Sequence, residues 1–529
     1  MNEKDGSRIS QATRREAERR DRRVKLALLS MSVLTIALLG AAALRENVWN
    51  PWRHYQREYQ RILSAKATDD RGRKIANDFH VEMRQVVLPE IGTIDRCVSC
   101  HNGVDDPRMT DVANPHRVHP GAYLQWHDPN RFGCTICHRG QGRAMSFEDA
   151  KAEDRHWDYP LLPLELTQSS CGVCHAAREV AENGGETYAA GAALFEAKGC
   201  RSCHKLGGRG GSLGPALDNE GLKVRGNLPM AGIQGPHTVP EWLIEHFADP
   251  QAVVAGSQMP CPGLSRGETE ALTTFLLAQQ QRDLPGSYLT PEKHLMIYAS
   301  ANPAPMTGAD LYNRFCSTCH DTGELGRYDK FFRSFIPAVR AESFKAAASP
   351  AYVAAMIRSG RRGTIMPAWG LAAGGMSEED IRQIVSFVLG REVAGEEIRP
   401  AASEAGGSEI PMKATAGPIG DPGRGRSLFV KNCAGCHGPA GRGGVAPTLD
   451  SPAFQAYASD AFLIETITQG RRNTAMPAWG ARGALSPADI RDVVSYVRTL
   501  GIAAGGAPAT AKAEATAEAT ATTTQAAAQ

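Results

Sequence analysis

The chain has 529 residues, and at about 150 residues per domain this length favours three or four domains over one large fold. A hydrophobic share of 42% and a charged share of 22% exclude a polytopic membrane protein and a wholly disordered chain. The net charge of +2 supplies no basic field, so we expect no nucleic-acid partner.

The N-terminus predicts one membrane span. Residues 1–25 form a basic cytoplasmic segment with nine Lys or Arg, and residues 26–44 are an uncharged run of 19 that is long enough to cross a bilayer. The positive flank remains in the cytoplasm, which places everything later on the periplasmic side of a bacterial inner membrane. The alternative is a cleaved signal peptide ending at residues 41–43, although the apolar region of a signal peptide usually has only about 7 to 15 residues.

Residues 45–90 are polar and predict a helical neck between the membrane and the rest of the chain. Four aromatic residues open this neck, namely Trp49, Trp52, Tyr55 and Tyr59. They suit an aromatic belt at the membrane surface, and an ordinary amphipathic helix would look similar.

Twelve of the 13 cysteines fall in six copies of the pattern Cys-x-x-Cys-His. Two thiols at this spacing can bond to the two vinyl groups of a haem, and the following histidine can ligate the iron from the proximal side. A zinc site needs four ligands from paired elements, and a redox dithiol occurs once on a βαβ unit, so both fit less well. We therefore predict six covalently bound haem c. The predicted residues are Cys97, Cys100 and His101; Cys134, Cys137 and His138; Cys171, Cys174 and His175; Cys200, Cys203 and His204; Cys316, Cys319 and His320; and Cys433, Cys436 and His437.

The spacing of the motifs divides the chain. The first three motifs are 37 residues apart, which is too short for separate folds, and predict one loop-rich trihaem module over residues 91–183. Residues 393–420, rich in Ala, Gly, Glu and Pro, predict a flexible linker that would let the last haem domain swing. Residues 503–529 are nearly all Ala, Thr, Gly and Glu and predict a disordered tail.

The last three motifs are more widely spaced and share a repeat. Each follows Gly-x-x-Leu-aromatic and precedes a Met-Pro pair and an amphipathic helix. This order resembles the class I cytochrome c fold over residues 186–285, 303–392 and 421–502, so the fold class is predicted to be mainly α. The resemblance implies Met259, Met366 and Met476 as distal iron ligands.

In that family a proline after the haem motif helps to orient the proximal histidine. Pro215 and Pro447 match this position, whereas the middle domain has no clear equivalent and its loop is predicted to be rebuilt. The remaining cysteine, Cys261, follows the Met259-Pro pair and is predicted to be a buried apolar thiol.

Distal ligands for the first three haems must come from elsewhere. A single histidine is usually a satisfied polar residue, but four lie between residues 116 and 156, among the first three motifs. His119, His127 and His156 are the predicted ligands, with His116 and His80 in reserve.

Residues 50–180, with the strings LPEIGTIDRCVSCHNGVDDPRM and FGCTICHRGQGRA, resemble the anchored multihaem cytochrome subunits of bacterial quinol-oxidising complexes, both bc-type and alternative complex III. The resemblance implies a hexahaem subunit that carries electrons from a membrane quinol-oxidising partner, such as a cytochrome b, to a soluble cytochrome or a terminal oxidase. We expect an electron-transfer subunit rather than a catalytic chain. The alternatives are the c-type subunit of a terminal oxidase, or a multihaem peroxidase or reductase with one open haem.

Overall fold

The computed structural model describes residues 3–153, 157–281, 284–399, 418–471 and 474–504. The chain is 56% helical and only 4% strand, so the mainly α prediction is confirmed. It divides into two compact units, residues 1–167 and residues 168–529. The first two haem motifs lie in the first unit, and the third motif lies in the second unit.

The first unit has short helices and one antiparallel hairpin around its motifs. Its elements are α1 (Glu3–Asn47), α2 (Pro51–Lys66), α3 (Asp70–Asn77), β1 (Val86–Leu88), β2 (Thr93–Asp95), α4 (Tyr123–Trp126), α5 (Pro129–Phe132), α6 (Thr135–His138) and α7 (Phe147–Lys151). β1 pairs with β2, with Val86 opposite Asp95.

Helix α1 contains the predicted anchor. Within the part of the chain that the structure describes, its segment Thr13–Arg45 is the one stretch with the length and composition of a membrane span, and none of its apolar window is buried. A signal sequence has the same properties, so the structure leaves both predicted alternatives open.

Helix α2 is an amphipathic helix rather than an aromatic belt. Proline at its first position suits a helix start, and its inner face buries Trp52, Gln56, Tyr59 and Leu63. The Gln56 amide donates to the carbonyls of Glu82 and Ser99 at 2.8 and 3.1 Å. Helix α2 is therefore fixed to the segment that carries the first haem motif.

The second unit contains the remaining elements. They are α8 (Gln168–Cys174), α9 (Ala177–Glu182), α10 (Glu186–Ala197), β3 (Lys205–Leu206), β4 (Arg209–Gly210), α11 (Val239–Ala248), α12 (Pro250–Val253), α13 (Arg266–Leu277), α14 (Pro291–Ala301), α15 (Gly308–Phe315), α16 (Ser317–His320), β5 (Arg327–Asp329), β6 (Ser334–Ile336), α17 (Glu342–Ala347), α18 (Pro350–Ser359), α19 (Leu371–Gly374), α20 (Glu378–Leu389), α21 (Pro422–Asn432), α22 (Ala434–His437), α23 (Pro452–Tyr457), α24 (Asp460–Gln469) and α25 (Pro487–Ala504).

Three helix pairs repeat along this unit: α10 with α13, α15 with α20, and α21 with α25. The glycine of each Gly-x-x-Leu-aromatic pattern lies against a carbonyl of the facing helix, so an added Cβ would clash. The clashes would be Gly191 with Ala271 at 1.9 Å, Gly308 with Gln383 at 2.0 Å, and Gly425 with Asp492 at 1.9 Å. We call the three regions built on these pairs domain 1 (residues 186–285), domain 2 (303–392) and domain 3 (421–502).

Each crossing is completed by an aromatic pair that joins the first helix to the last. The ring centres are 5.2 to 5.4 Å apart, a favourable distance for packed aromatic rings. The pairs are Phe195 with Phe275, Tyr312 with Phe387, and Phe429 with Tyr496.

Domains 2 and 3 pack on each other reciprocally. Helix α17 contacts α24, helix α18 contacts α23, and the rings of the equivalent residues Tyr352 and Phe462 lie 4.6 Å apart. One apolar core includes residues of both domains. The expectation of a swinging last domain is therefore wrong, because burying this apolar face holds domain 3 against domain 2.

The predicted linker starts later than expected. Val393 and Ile398 are buried, and Arg358 donates to the Ile398 carbonyl at 3.0 Å. Residues 393–399 therefore belong to domain 2, and residues 400–417 lie outside the described residues, as does most of the predicted tail.

Candidate haem sites

All six Cys-x-x-Cys-His motifs form the same tight turn. In each, the backbone N–H of the histidine donates to the carbonyl of the first cysteine at 2.8 to 3.0 Å. This turn holds the two cysteines and the histidine of each motif close together, which is what attaching one haem and ligating its iron requires.

Prolines orient three of the proximal histidines. The Nδ1 atoms of His204, His320 and His437 lie 2.8, 3.3 and 2.9 Å from the carbonyls of Pro215, Pro337 and Pro447. A histidine that donates through Nδ1 keeps the lone pair of Nε2 for a metal.

Pro337 corrects the expectation that domain 2 has no equivalent proline. The loop after its motif forms a hairpin in which β5 pairs with β6, with Arg327 opposite Ile336. Because this hairpin folds back on itself, the proline that follows it returns to His320 although it is 17 residues away. The predicted rebuilding of this loop is seen, and the proline contact is retained.

Burial also prepares these imidazoles for iron. Desolvation lowers the pKa of five proximal histidines. It therefore favours the neutral ring, which is the form that binds a metal. These residues are His101, His138, His204, His320 and His437.

The three predicted distal methionines share one local turn. The backbone N–H of each donates to a hydroxyl two residues earlier, at 3.2 Å in every case. The pairs are Met259 with Ser257, Met366 with Thr364, and Met476 with Thr474. Met366 and Met476 also pack against the shared core of domains 2 and 3.

Comparisons with known proteins agree with this repeat. Residues 303–388 and 420–497 match the family described as "Cytochrome C oxidase, cbb3-type, subunit III", and residues 188–280 match the family described as "Cytochrome c". These three regions are cytochrome c domains. Such domains carry covalently bound haem c, and the predicted likeness to a membrane-anchored multihaem cytochrome is confirmed. The first three motifs begin before residue 188, outside the matched ranges.

Curated relatives carry the name cbb3-type cytochrome c oxidase subunit. FixP of Bradyrhizobium diazoefficiens is 42% identical over 84 residues, which cover 15% of this chain and 28% of the relative. CcoP of Azospirillum sp. (strain B510) is 29% identical over 224 residues, which cover 40% of this chain and 65% of the relative. The chain thus spans about a quarter to two thirds of the length of these relatives.

Among solved structures, a chain of the Kuenenia stuttgartiensis reducing HAO-like protein complex is 20% identical. The match covers 36% of this chain and 94% of that chain, with a TM-score of 0.20, which is too low to show a shared fold.

In domain 1 a glycine leaves room for the proximal imidazole. A Cβ at Gly214 would lie 2.3 Å from the imidazole of His204, because the residue precedes the Pro215 carbonyl that holds this ring. The residues present therefore fit a haem whose iron is ligated by His204 on the proximal side.

Domain 1 differs from the other two around its methionine. In domains 2 and 3 the Arg361 and Arg471 backbone N–H groups close the loop on the Met366 and Met476 carbonyls, at 3.0 and 3.1 Å. At the equivalent place, the Val254 N–H bonds to the Pro250 carbonyl within α12 instead.

Domain 1 also contains a buried histidine that the sequence gave no reason to choose. His246 stacks on Trp242 with ring centres 4.4 Å apart, and its buried Nδ1 has no hydrogen-bond partner. Burial, with a contribution from nearby His204, lowers its pKa to about 4. A neutral imidazole thus lies close to the proximal ligand.

Cys261 corrects another expectation. Its side chain is exposed, with Sγ 3.3 Å from the Ala248 carbonyl, rather than buried. Cys261 lies between two prolines in an irregular loop.

In the first unit, His119 lies opposite the proximal histidine of the second motif. The ring centres of His119 and His138 are 6.2 Å apart. Two imidazoles bound to opposite faces of one iron, each through a bond of about 2.0 Å, place their ring centres roughly 6 Å apart. The His119 Nδ1 lies 2.9 Å from the Pro120 carbonyl, which leaves Nε2 for a metal.

His116, which the sequence held in reserve, faces the first motif. It is 3% exposed, neither ring nitrogen has a hydrogen-bond partner, and its charge would lower the pKa of His101. Its Nε2 lies 3.4 Å from the Glu58 carboxylate without hydrogen-bond geometry. A buried imidazole with unused nitrogens is the arrangement that an axial ligand requires.

The other candidate histidines are His127, His80 and His156. The Nδ1 of His127 lies 3.0 Å from the Tyr123 carbonyl, and its ring packs on Phe132. His80 is near the Asp78 carbonyl, at 2.7 Å. His156 lies outside the described residues.

Neighbouring motifs are in direct contact. The buried Asp95 carboxylate accepts the N–H groups of Cys134 and Thr135, both at 2.7 Å, and the Cys97 thiol at 2.8 Å. The Sγ atoms of Cys97 and Cys134 lie within 4.8 Å of each other. Haems attached at Cys97 and Cys134 would therefore lie next to each other.

A second contact joins the motifs of domains 1 and 2. The Ser202 hydroxyl donates to the Thr318 hydroxyl at 2.9 Å, and these residues are the ones just before the second cysteine of each motif. Beside them, Arg314 donates to both carboxylate oxygens of Glu196 at 2.8 and 2.9 Å. This bidentate pair fixes the two motifs next to each other.

Proposed function

We propose that this chain is the membrane-anchored, six-haem c-type subunit of a terminal oxidase, and that it carries electrons to an oxygen-reducing partner. The single observation that carries the proposal is the packed pair of domains 2 and 3, because both halves match a family of cbb3-type oxidase subunits. The relatives CcoP and FixP are themselves named as subunits of such an oxidase.

Contacts between motifs support electron transfer rather than catalysis. The first motif touches the second through Asp95, and the fourth touches the fifth through Ser202 and Thr318. A protein of this kind acts by positioning its cofactors and tuning their potentials. Candidate sixth ligands are available for five of the six irons, and His156, a predicted ligand for the first three haems, lies outside the described residues.

The ligand types suggest a direction. His116 and His119 suit bis-imidazole haems in the first unit, whereas Met366 and Met476 suit thioether ligation in domains 2 and 3. Thioether ligation generally raises the reduction potential of a haem. Electrons would then flow from the membrane-proximal haems toward domain 3, on the periplasmic side that the basic N-terminal flank implies.

This proposal adopts the oxidase alternative of the sequence analysis over its leading interpretation, a quinol-oxidising complex. A membrane partner remains part of the proposal, because the described residues contain one candidate span and the relatives are named as oxidase subunits. The partner proposed is the oxygen-reducing membrane subunit of the oxidase, with a quinol-oxidising cytochrome b as the competing possibility.

Purification in mild detergent distinguishes these partners. The tagged native protein would be isolated from membranes, its companions identified by mass spectrometry, and oxygen consumption measured with a reduced artificial donor. An oxidase predicts co-purification with a haem-copper subunit and oxygen consumption. Isolation with a cytochrome b, with quinol-driven haem reduction and no oxygen consumption, would overturn the proposal.

A further inference from the structure

Domains 2 and 3 each place an arginine at the same point of the methionine loop. Arg361 and Arg471 directly follow glycines with φ of 67°, a left-handed conformation that suits glycine, and each backbone N–H bonds to the carbonyl of its own distal methionine. The start of each side chain is therefore fixed relative to the haem ligand of its domain.

The two guanidinium groups cross the interface in opposite directions. The Arg361 group lies 5.9 Å from the ring centre of Phe454 in domain 3. The Arg471 group lies 5.3 Å from the ring centre of Phe344 in domain 2 and 4.9 Å from that of Phe462. Helices α17 and α23, which supply Phe344 and Phe454, occupy equivalent positions, so the exchange is reciprocal.

Neither arginine has a carboxylate partner among the described residues. The Nε of Arg361 is buried without a hydrogen-bond partner, and the side chain of Arg471 donates to the Thr466 hydroxyl at 2.7 Å. The remaining charges near Arg471 are Glu465 and Arg361, and the Tyr352 hydroxyl is also near. Two neighbouring cations that are largely removed from water require an anion nearby.

The surroundings indicate which anion this is. The Gly363 position, two residues beyond Arg361, packs on Thr448, which follows the proline that holds His437. Arg361 thus lies beside the haem site of the neighbouring domain, and a haem carries two propionate carboxylates, which arginine binds in a bidentate manner.

We propose that Arg361 and Arg471 bind propionate carboxylates of the haems in domains 2 and 3 and join the two haem sites across the domain interface. This inference rests on the cytochrome c domains and not on the oxidase partnership. Both cations stabilise the reduced state of the nearby haems, because reduction adds negative charge next to them. Each arginine therefore raises the potential of more than one haem.

The test uses the full haem-loaded chain with Arg361→Gln, Arg471→Gln and the double variant. Arg362→Gln is the matched control, because Arg362 is the next residue of the same loop and is exposed. The Arg→Lys variants keep the charge but lose the bidentate geometry. Potentials come from a spectroelectrochemical titration, and propionate carboxylate bands come from infrared difference spectra after isotopic labelling of the haem carboxylates.

The expected result is that each Gln variant lowers the potentials of both haems in domains 2 and 3 and shifts the labelled carboxylate bands. The control should leave both readouts unchanged. The Lys variants should change the haem potentials much less than the Gln variants do, but they should still shift the carboxylate bands. Unchanged bands in the Gln variants would overturn the proposal. So would potentials of the unmodified protein that change with phosphate concentration at constant ionic strength, since a solvent anion would then occupy the site.

If the Gln variants do not accumulate with haem, the Lys variants decide the question through the same infrared bands. A failure of the oxidase proposal would show in purification and oxygen consumption, and it would leave these spectra unaffected.

Discussion

The first two haem motifs and the last two share one five-residue pattern. The surrounding protein stabilises them in different ways. Near Cys97 and Cys134 the support is polar, since the buried carboxylate of Asp95, two residues before Cys97, accepts the backbone N–H groups of Cys134 and Thr135. Around His320 and His437 the support is apolar, with crossed helices and one shared core. A motif separated by 37 residues from the next cannot build its own helical domain, so neighbouring haem segments must stabilise each other.

The ligands follow the same division. The polar region offers histidines opposite its proximal ligands, and the apolar domains offer methionines held in a common turn. Four substitutions would break or sharpen this comparison, and a fifth test measures it directly.

The largest effect is expected from Met476→His, which would give domain 3 the ligand set of the first unit. The potential of its haem should fall on the order of a few tenths of a volt, within the range of about 0.8 V that axial ligands span. The near-infrared charge-transfer band of a methionine-ligated ferric haem should weaken as well. Met296→His is the control, because Met296 is exposed on α14, and an unchanged potential in Met476→His would contradict the assignment.

His119→Ala should open the second haem. Loss of the imidazole 6.2 Å from His138 would leave the iron five-coordinate, so the reduced protein should bind carbon monoxide at one additional haem. Stopped-flow or equilibrium absorption spectra would measure this. His80→Ala serves as the control, and carbon monoxide binding that is equal in both variants would remove His119 from the ligand set.

Gly425→Ala tests the apolar support. Its added Cβ would lie 1.9 Å from the Asp492 carbonyl, so helices α21 and α25 must move apart where they cross. The free energy of unfolding should fall by about 1 to 3 kcal/mol. Gly435→Ala, where a Cβ meets nothing within 4 Å, should change stability little. The measurement is the denaturant midpoint for loss of the near-infrared methionine band, and equal midpoints in the two variants would refute the close crossing.

Asp95→Asn tests the polar support. The amide keeps the shape of the carboxylate but lacks its charge, which strengthens the hydrogen bonds from two backbone N–H groups. The free energy of unfolding should fall by about 1 to 3 kcal/mol. Asp128→Asn removes the charge of an exposed helix cap and should cost at most about 1 kcal/mol. Proteolysis of the first unit would measure the difference, and protection equal to that of the control would show that Asp95 contributes little.

Local patterns allowed much of this to be predicted from sequence. The haem turns and the Met-Pro loops depend on residues within a few positions, so their spacing indicates their structure. The mainly α fold and the repeated domains follow from those patterns. The helix that contains the predicted anchor was also predicted, because its length and lack of charge are visible in the sequence.

Contacts between distant segments were not predictable. Pro337 reaches His320 only because a hairpin folds between them, and His116 is buried among the aromatic rings of α2, more than 50 residues earlier. The packing of domain 3 on domain 2 depends on matching apolar faces, whereas a low-complexity linker suggested independence. Cys261 was predicted to be buried because free cysteines usually are, but its side chain is exposed in an irregular loop.

The central claim is that electrons pass from bis-histidine haems in the first unit to methionine-ligated haems in domains 2 and 3. A spectroelectrochemical titration of the purified protein, with electron paramagnetic resonance spectra at each potential, tests it most directly. The account predicts that the signals of bis-imidazole haems disappear last on reduction, at the lowest potentials, and that the methionine-ligated haems are reduced first. Reduction of the bis-imidazole haems before the methionine-ligated ones would contradict it.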